Sequence, residues 1–147
     1  MASRRAERQI IIEATPQQCF EAAVEYESFP DWQRAVRSCS VLTRDRRHRG
    51  ERVEFEIDAR LRTIHYTLDY SYEEPHLVAW RYVDGDVRDV DGELVLEDTG
   101  DGTTLATYSL RIDAGAWLPA RVSAVLTGQV MSGVLEDLKG RVEGARA

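Results

Sequence analysis

The chain has 147 residues, 43% of them apolar and 31% charged, which suits one globular domain with a sizeable core and excludes a disordered chain. A formal net charge of −7 argues against a nucleic-acid binder held by broad electrostatics, although it is compatible with a local basic patch. Met1 to Arg8 has no apolar run behind its charges and does not read as a signal peptide, and the uncharged stretch from Val122 to Leu135 is too short to span a bilayer.

Gln9 to Ala14 is a short run rich in β-branched residues and predicts a first strand. Thr15 can cap the helix that follows, and Pro16 suits its first position, where a missing N–H is harmless. Tyr26 to Trp32 reads as a broken second helical turn that Pro30 keeps short. Val36 to Thr43 is a second strand, followed by the charged turn Arg44 to Gly50.

In the third strand Val53, Phe55, Ile57, Ala59 and Leu61 alternate with Glu54, Glu56, Asp58 and Arg60, the period of a sheet with one buried and one wet face. The fourth repeats it, with Ile64, Tyr66, Leu68, Tyr70 and Tyr72 against His65, Thr67, Asp69 and Ser71. Strands over Leu77 to Val83, Val87 to Glu97 and Thr103 to Asp113 follow, the last two joined by a glycine-rich turn, Asp98 to Gly102. Connections this short join antiparallel neighbours, so the sheet is a meander.

Pro119 to about Val142 predicts one long helix. It is apolar nearly all round in its first half and charged at its end, so the first half should be enclosed. Ser123, Ala124, Gly128, Ser132 and Gly133 are small and leave space beside the backbone. The expectation is an α+β protein: a single domain over 1–147 with an ordered core at about 8–143, a curved sheet of about seven strands, two short helices after the first strand and a long C-terminal helix.

Cys19 and Cys39 lie in different elements with no metal or redox spacing and read as free thiols, which agrees with a cytoplasmic location. His48, His65 and His76 are scattered, with no zinc spacing. No nucleophile elbow, phosphate loop or dinucleotide fingerprint occurs, so neither a cofactor, a metal nor a catalytic residue is indicated.

The order of elements, with Ile12-Glu13-Ala14-Thr15-Pro16 entering Phe20, Tyr26-x-x-Phe29-Pro30-Asp31-Trp32, Val78-x-Trp80-Arg81, Gly85, Gly92-x-Leu94-x-Leu96 and Gly102-Thr103-Thr104-x-x-x-Tyr108-x-Leu110, resembles the SRPBCC superfamily of START-like and Bet v 1-like proteins. Within it the chain is most similar to the polyketide cyclase/dehydrase and coenzyme-Q-binding START group. The resemblance implies a helix-grip fold and a hydrophobic ligand cavity between sheet and long helix. It carries over no fixed catalytic residue.

Three tyrosines beside Phe55 on one apolar face, Tyr66, Tyr70 and Tyr72, are informative because a buried phenol needs a hydrogen-bond partner. Any one of them could be plain core; together they suggest a wall facing waters or the polar end of a ligand. In the fifth strand Trp80 and Tyr82 share one face, with Ala79 and Arg81 on the other. The short connection before it leaves both registers open. With Trp80 inward, its ring lines the cavity; with Arg81 inward, a cation would need a carboxylate or an anionic ligand group. The first is preferred. Tyr108, Gln129 and Met131 complete the candidate ligand-binding set, Gln129 being the lone amide in its apolar stretch.

Glu54, Glu56 and Asp58 read as solubilising residues of the wet face. Arg44, Arg46, Arg47 and Arg49 form a basic tip, first a solvated turn and secondarily a weak contact for anionic membrane or RNA. The leading function is therefore a carrier or sensor of a lipid, isoprenoid quinone or polyketide-like molecule. The alternatives are a polyketide aromatase/cyclase-type enzyme and a ribosome-associated interaction protein, and the sequence leaves the oligomeric state open.

Overall fold

Among the described residues seven strands form one hydrogen-bonded sheet in which every neighbouring pair is antiparallel. The computed structural model describes residues 4–58, 62–113, 115 and 133–144. The strands are β1 (Arg4–Ile12), β2 (Val36–Arg44), β3 (Gly50–Asp58), β4 (Thr63–Glu73), β5 (Leu77–Gly85), β6 (Asp89–Asp98) and β7 (Thr104–Asp113). β2 to β7 form the meander that their short connections predict. β1 instead pairs with β7, from Arg4 opposite Ile112 to Ile12 opposite Thr104.

That pairing starts β1 at Arg4, five residues before the apolar run at Gln9. The charged segment has no strand pattern of its own. It becomes a strand because β7 is long enough to offer backbone partners along all of it.

Between β1 and β2 lie α1 (Pro16–Ala23), a 3-10 turn (Tyr26–Ser28) and α2 (Phe29–Trp32). α1 starts on a capping box: the Gln18 backbone N–H donates to the Thr15 hydroxyl at 3.2 Å, and the Thr15 N–H donates to Gln18 Oε1 at 2.9 Å. Pro16, Cys19 and Phe20 are its buried residues, one stripe at helical spacing. Thr104, fully buried, donates its hydroxyl to the Ala14 carbonyl at 2.7 Å and fixes the chain where it leaves β1. Pro30 sits in the first turn of α2, where it removes no hydrogen bond.

Residues 133–144 form α3, the end of the helix expected from Pro119; the first half of that expectation, with Ser123, Ala124, Gly128 and Ser132, lies outside the described residues. Leu135, Leu138 and Val142 are its buried stripe, and covering three such side chains contributes roughly 6 kcal/mol of gross apolar burial. The far end is tied down by polar contacts. Lys139, the only lysine of the chain, donates to the Ile11 carbonyl at 2.9 Å, and the Glu13 N–H donates to Glu143 at 2.8 Å. Lys139 and Glu143 also pair with each other, one helical turn apart.

The two sheet faces are chemically distinct. The concave face carries the core, including Val53, Ile57, Ile64, Leu68, Val78, Val90, Leu94 and Leu110. The convex face carries a row of alternating charge: Arg52 opposite Asp69, Asp69 opposite Arg81, Arg81 opposite Asp91, and Asp91 opposite Arg111. Arg52 grips Asp69 through two hydrogen bonds, at 2.8 and 3.0 Å. Opposite charges facing each other across antiparallel strands favour this register, weakly where the pair is open to solvent. This row settles the register of β5: Arg81 points outward into the charged row, and Trp80 points inward.

The edge strand β2 is irregular, with three shifts of register against β3, between Val36 and Ser38, Val41 and Thr43, and Thr43 and Arg44.

A node of charge ties the β2–β3 hairpin to α1. Arg49 donates to both oxygens of Glu21, at 3.1 and 3.0 Å, and to both of Glu74, at 3.3 and 2.8 Å. Its guanidinium also lies 5.2 Å from the ring centre of Phe20. These hydrogen bonds hold the carboxyls of Glu21 and Glu74 below the usual carboxylate range, and Arg52 does the same for Asp69. A depressed carboxyl contributes stability above its unfolded pKa of about 4 and loses it as pH falls through the folded value. Thermal midpoints measured from pH 7 to pH 3 are expected to stay level to about pH 5 and to fall progressively below it.

Candidate functional site

The concave face is hollow. A cavity of about 720 Å³ lies between the sheet, α2 and α3, within the size range of small-molecule sites. Its aromatic wall is continuous. Phe55 and Tyr66 are 5.8 Å apart between ring centres, Phe55 and Tyr70 6.3 Å, Tyr70 and Trp80 5.8 Å, and Trp80 and Tyr108 5.3 Å. Phe29 and Trp32 extend the wall from α2, with Phe29 5.2 Å from Trp32 and 6.4 Å from Phe55.

One glycine makes this wall possible. Gly92 of β6 lies directly opposite Trp80, and a Cβ there would stand 2.7 Å from the indole ring and 2.4 Å from the Ser109 carbonyl oxygen. The indole therefore lies flat across β6 in space that only hydrogen leaves free.

The hydroxyls of this wall are the chemically distinctive groups. Among the described residues, Tyr66, Tyr70 and Tyr108 have no hydrogen-bond partner for their phenol oxygens. Every fully enclosed polar side-chain atom among the described residues is hydrogen-bonded, so these three open onto the hollow. Burial pushes their pKa values well up, which keeps them protonated as neutral donors.

Tyr72, on the same strand face, is different. Its hydroxyl donates to the Gly50 carbonyl and lies 2.7 Å from the hydroxyl of Tyr26, a buried residue of the 3-10 turn. Burial raises the Tyr72 pKa to about 12. Those two phenols satisfy each other and brace the turn against the hairpin.

Of the candidate residues, the structure thus brings Phe55, Tyr66, Tyr70, Trp80 and Tyr108 to one cavity. Tyr82 is not on its wall: it lies opposite Leu68, one residue before the β5 bulge at Val83, and its hydroxyl donates to the Val87 carbonyl at 2.6 Å. Gln129 and Met131 lie outside the described residues.

Sequence reading missed Phe29 and Trp32, whose helix is too short to show a period, and it missed four charged residues on the wall: Arg8, Arg34, Asp58 and Asp137. Asp58 is half-buried there, not simply a solubilising residue of the outer face. Arg34 and Asp137 join the loop after α2 to α3: both the backbone N–H and the guanidinium of Arg34 donate to the Asp137 carboxylate, at 3.1 and 3.0 Å. At the basic tip, Arg49 is committed to Glu21 and Glu74, and Arg44 bonds Glu27 at 3.0 Å, while Arg46 and Arg47 are exposed.

Cys19 and Cys39 are free thiols, and burial pushes both pKa values up, Cys39 to about 12. Such thiols are poor nucleophiles at neutral pH. Among the described residues no group of metal-ligating side chains occurs, and no helix is long and apolar enough to cross a membrane.

A curved antiparallel sheet that grips a C-terminal helix, with a cavity between them, defines the helix-grip, START-like class. The family described as polyketide cyclase / dehydrase and lipid transport matches residues 3–143, and the chain belongs to it. Among curated proteins none matches the sequence.

Solved structures agree on the fold. A START superfamily protein from Mycobacterium smegmatis superposes with a TM-score of 0.84 at 17% identity, over 96% of this chain and 98% of that one. The Zhui aromatase/cyclase from Streptomyces sp. R1128 gives 0.81 at 14% identity, over 97% and 94%. A protein from Thermus thermophilus gives 0.81 at 20% identity, over 99% and 100%. At these identities the likeness is one of fold.

Proposed function

We propose that the protein carries or senses a hydrophobic small molecule bearing oxygen acceptors, of the lipid, isoprenoid quinone or polyketide kind, held in the cavity under α3. One observation carries this reading: three phenol hydroxyls on an apolar wall, each without a protein partner among the described residues, open into a hollow large enough for a guest. A carbonyl or ether oxygen of the guest would satisfy them, while the rings and aliphatic residues take its apolar body. Burying ~200 Å² of apolar ligand surface would supply about 5 kcal/mol before ordering costs, enough for micromolar binding without further chemistry.

The same hydroxyls support a second reading. Protonated phenols aimed at one cavity can polarise carbonyls and hold a polyketone folded for ring closure, as an aromatase/cyclase would require. The carrier reading ranks first because, among the described wall residues, no histidine stands beside them, and Asp137 is tied to Arg34.

Native mass spectrometry of protein purified from its own host, followed by extraction and identification of any bound molecule, tests the reading directly. Calorimetry with that molecule is expected to give about five- to thirty-fold weaker binding for Tyr66→Phe or Tyr70→Phe, with unfolding midpoints little changed. Large stability losses with unchanged affinity would remove the tyrosines from the site.

A further inference from the structure

We propose that the guest is an amphiphile with one anionic head, a carboxylate or a phosphate monoester, and that Arg8 receives that head; this rests on the cavity being a ligand site. Arg8 lies on β1 between Ala6 and Ile10, both of which pack against the core, so strand alternation turns its side chain to the concave face. It is a wall residue of the cavity. Across the strand pair it stands directly opposite Tyr108, whose hydroxyl is one of the three without a partner among the described residues. Side chains so placed on one face have Cβ atoms about 5 Å apart, close enough for a guanidinium and a phenol to reach one oxyanion.

The charges around Arg8 leave it uncompensated. Among the described residues none forms a hydrogen bond or ion pair with its guanidinium. Glu7, its neighbour, points to the other face and accepts from Ser109 Oγ at 3.2 Å. Of the remaining charged wall residues, Arg34 and Asp137 neutralise each other, and Asp58 sits on β3, near the opposite edge of the sheet, with interactions of its own.

Arg8 is exposed although it belongs to the cavity wall, which places its charge at the mouth. A head group there keeps part of its hydration, so the charge pair forms without the full penalty of burial. Tyr108, held protonated by its surroundings, adds a neutral donor and no repulsion. The apolar body then runs inward along Trp80 and Tyr70.

The test compares dodecanoate, its methyl ester and dodecyl phosphate by titration calorimetry at pH 8, on the full chain. Wild type is expected to bind dodecanoate about ten-fold tighter than the ester. In Arg8→Gln that preference should fall below two-fold with ester affinity unchanged, and Arg8→Lys should retain part of it. Arg34→Gln should keep the preference, since its charge is already spent on Asp137. Dodecyl phosphate against dodecanoate tells which head the site prefers. Equal binding of acid and ester by wild type, or a preference that survives Arg8→Gln with an unchanged melting profile, overturns the role of Arg8. Failure of all three molecules to bind wild type would instead sink the cavity reading and take this inference with it.

Discussion

Gly92→Val is expected to cost about 3 kcal/mol or more of stability and to abolish ligand binding in whatever fraction remains folded. Gly92 lies inside β6, so its neighbours on β5 and β7 are fixed by hydrogen bonding. The nearest obstacle to a side chain, 2.4 Å away, is the backbone carbonyl of Ser109, which cannot rotate aside. The second, the Trp80 indole at 2.7 Å, is held from both sides by Tyr70 and Tyr108. Even Gly92→Ala should destabilise by ~1–3 kcal/mol, against the usual advantage of alanine over glycine in a strand. Shrinking the indole in a Gly92→Ala, Trp80→Phe double variant should recover only part of the loss, because the carbonyl clash persists. Urea unfolding at equilibrium reads all three variants. A Gly92→Ala protein as stable as wild type would show that β6 and β7 can separate at this point.

Arg49→Met is expected to destabilise by about 1–2 kcal/mol, nearly all of it electrostatic in origin and already reduced by the partial exposure of the cluster. Methionine keeps an unbranched apolar side chain and removes the five donors together with the charge over Phe20. Glu21 and Glu74, both hydrogen-bonded to one guanidinium in the native protein, would then face each other without a cation between them. Their pKa values should move from below the ordinary range to above it. The loss is therefore expected to be largest at neutral pH and to shrink as pH falls toward 4, where both carboxyls protonate. Unfolding at pH 7 and pH 4.5 measures the difference directly. A deficit of equal size at both values would assign the contribution to packing instead.

The fold was legible wherever one periodicity held over a whole element. Val53, Phe55 and Ile57 of β3 and Ile64, Tyr66 and Leu68 of β4 alternate so regularly that their inward face follows from the residues alone, whereas Ala59 and Leu61, read as continuing β3, lie outside the described residues; Thr15-Pro16 marks the start of α1 to the residue. β1 was legible only in its apolar half. Arg4 to Arg8 becomes a strand through β7, a partner about a hundred positions away, and local propensity holds no trace of that.

The same cause hid Arg8. Once the strand is extended backwards from Ile12 and Ile10, alternation places residue 8 on the inner face; without that extension it is one more arginine in a charged tail. Tyr66, Tyr70, Trp80 and Tyr108 were legible as wall residues because aromatic side chains at period two declare their face. Tyr82 fits the same rule by sequence and does pack against the core, but its hydroxyl is taken by the Val87 carbonyl, away from the hollow. Phe29 and Trp32 sit on a single turn of helix, too short for a period to form.

Among the described residues the strand order leaves β1 and β2 at the two ends of the sheet, each with one row of backbone groups turned away from any neighbouring strand. β2 changes step three times along its length, so those groups are neither evenly spaced nor in one plane. A second chain laid alongside could match only a few of them at once. That irregularity makes β2 a poor template for the edge-to-edge pairing of sheets that leads to fibres.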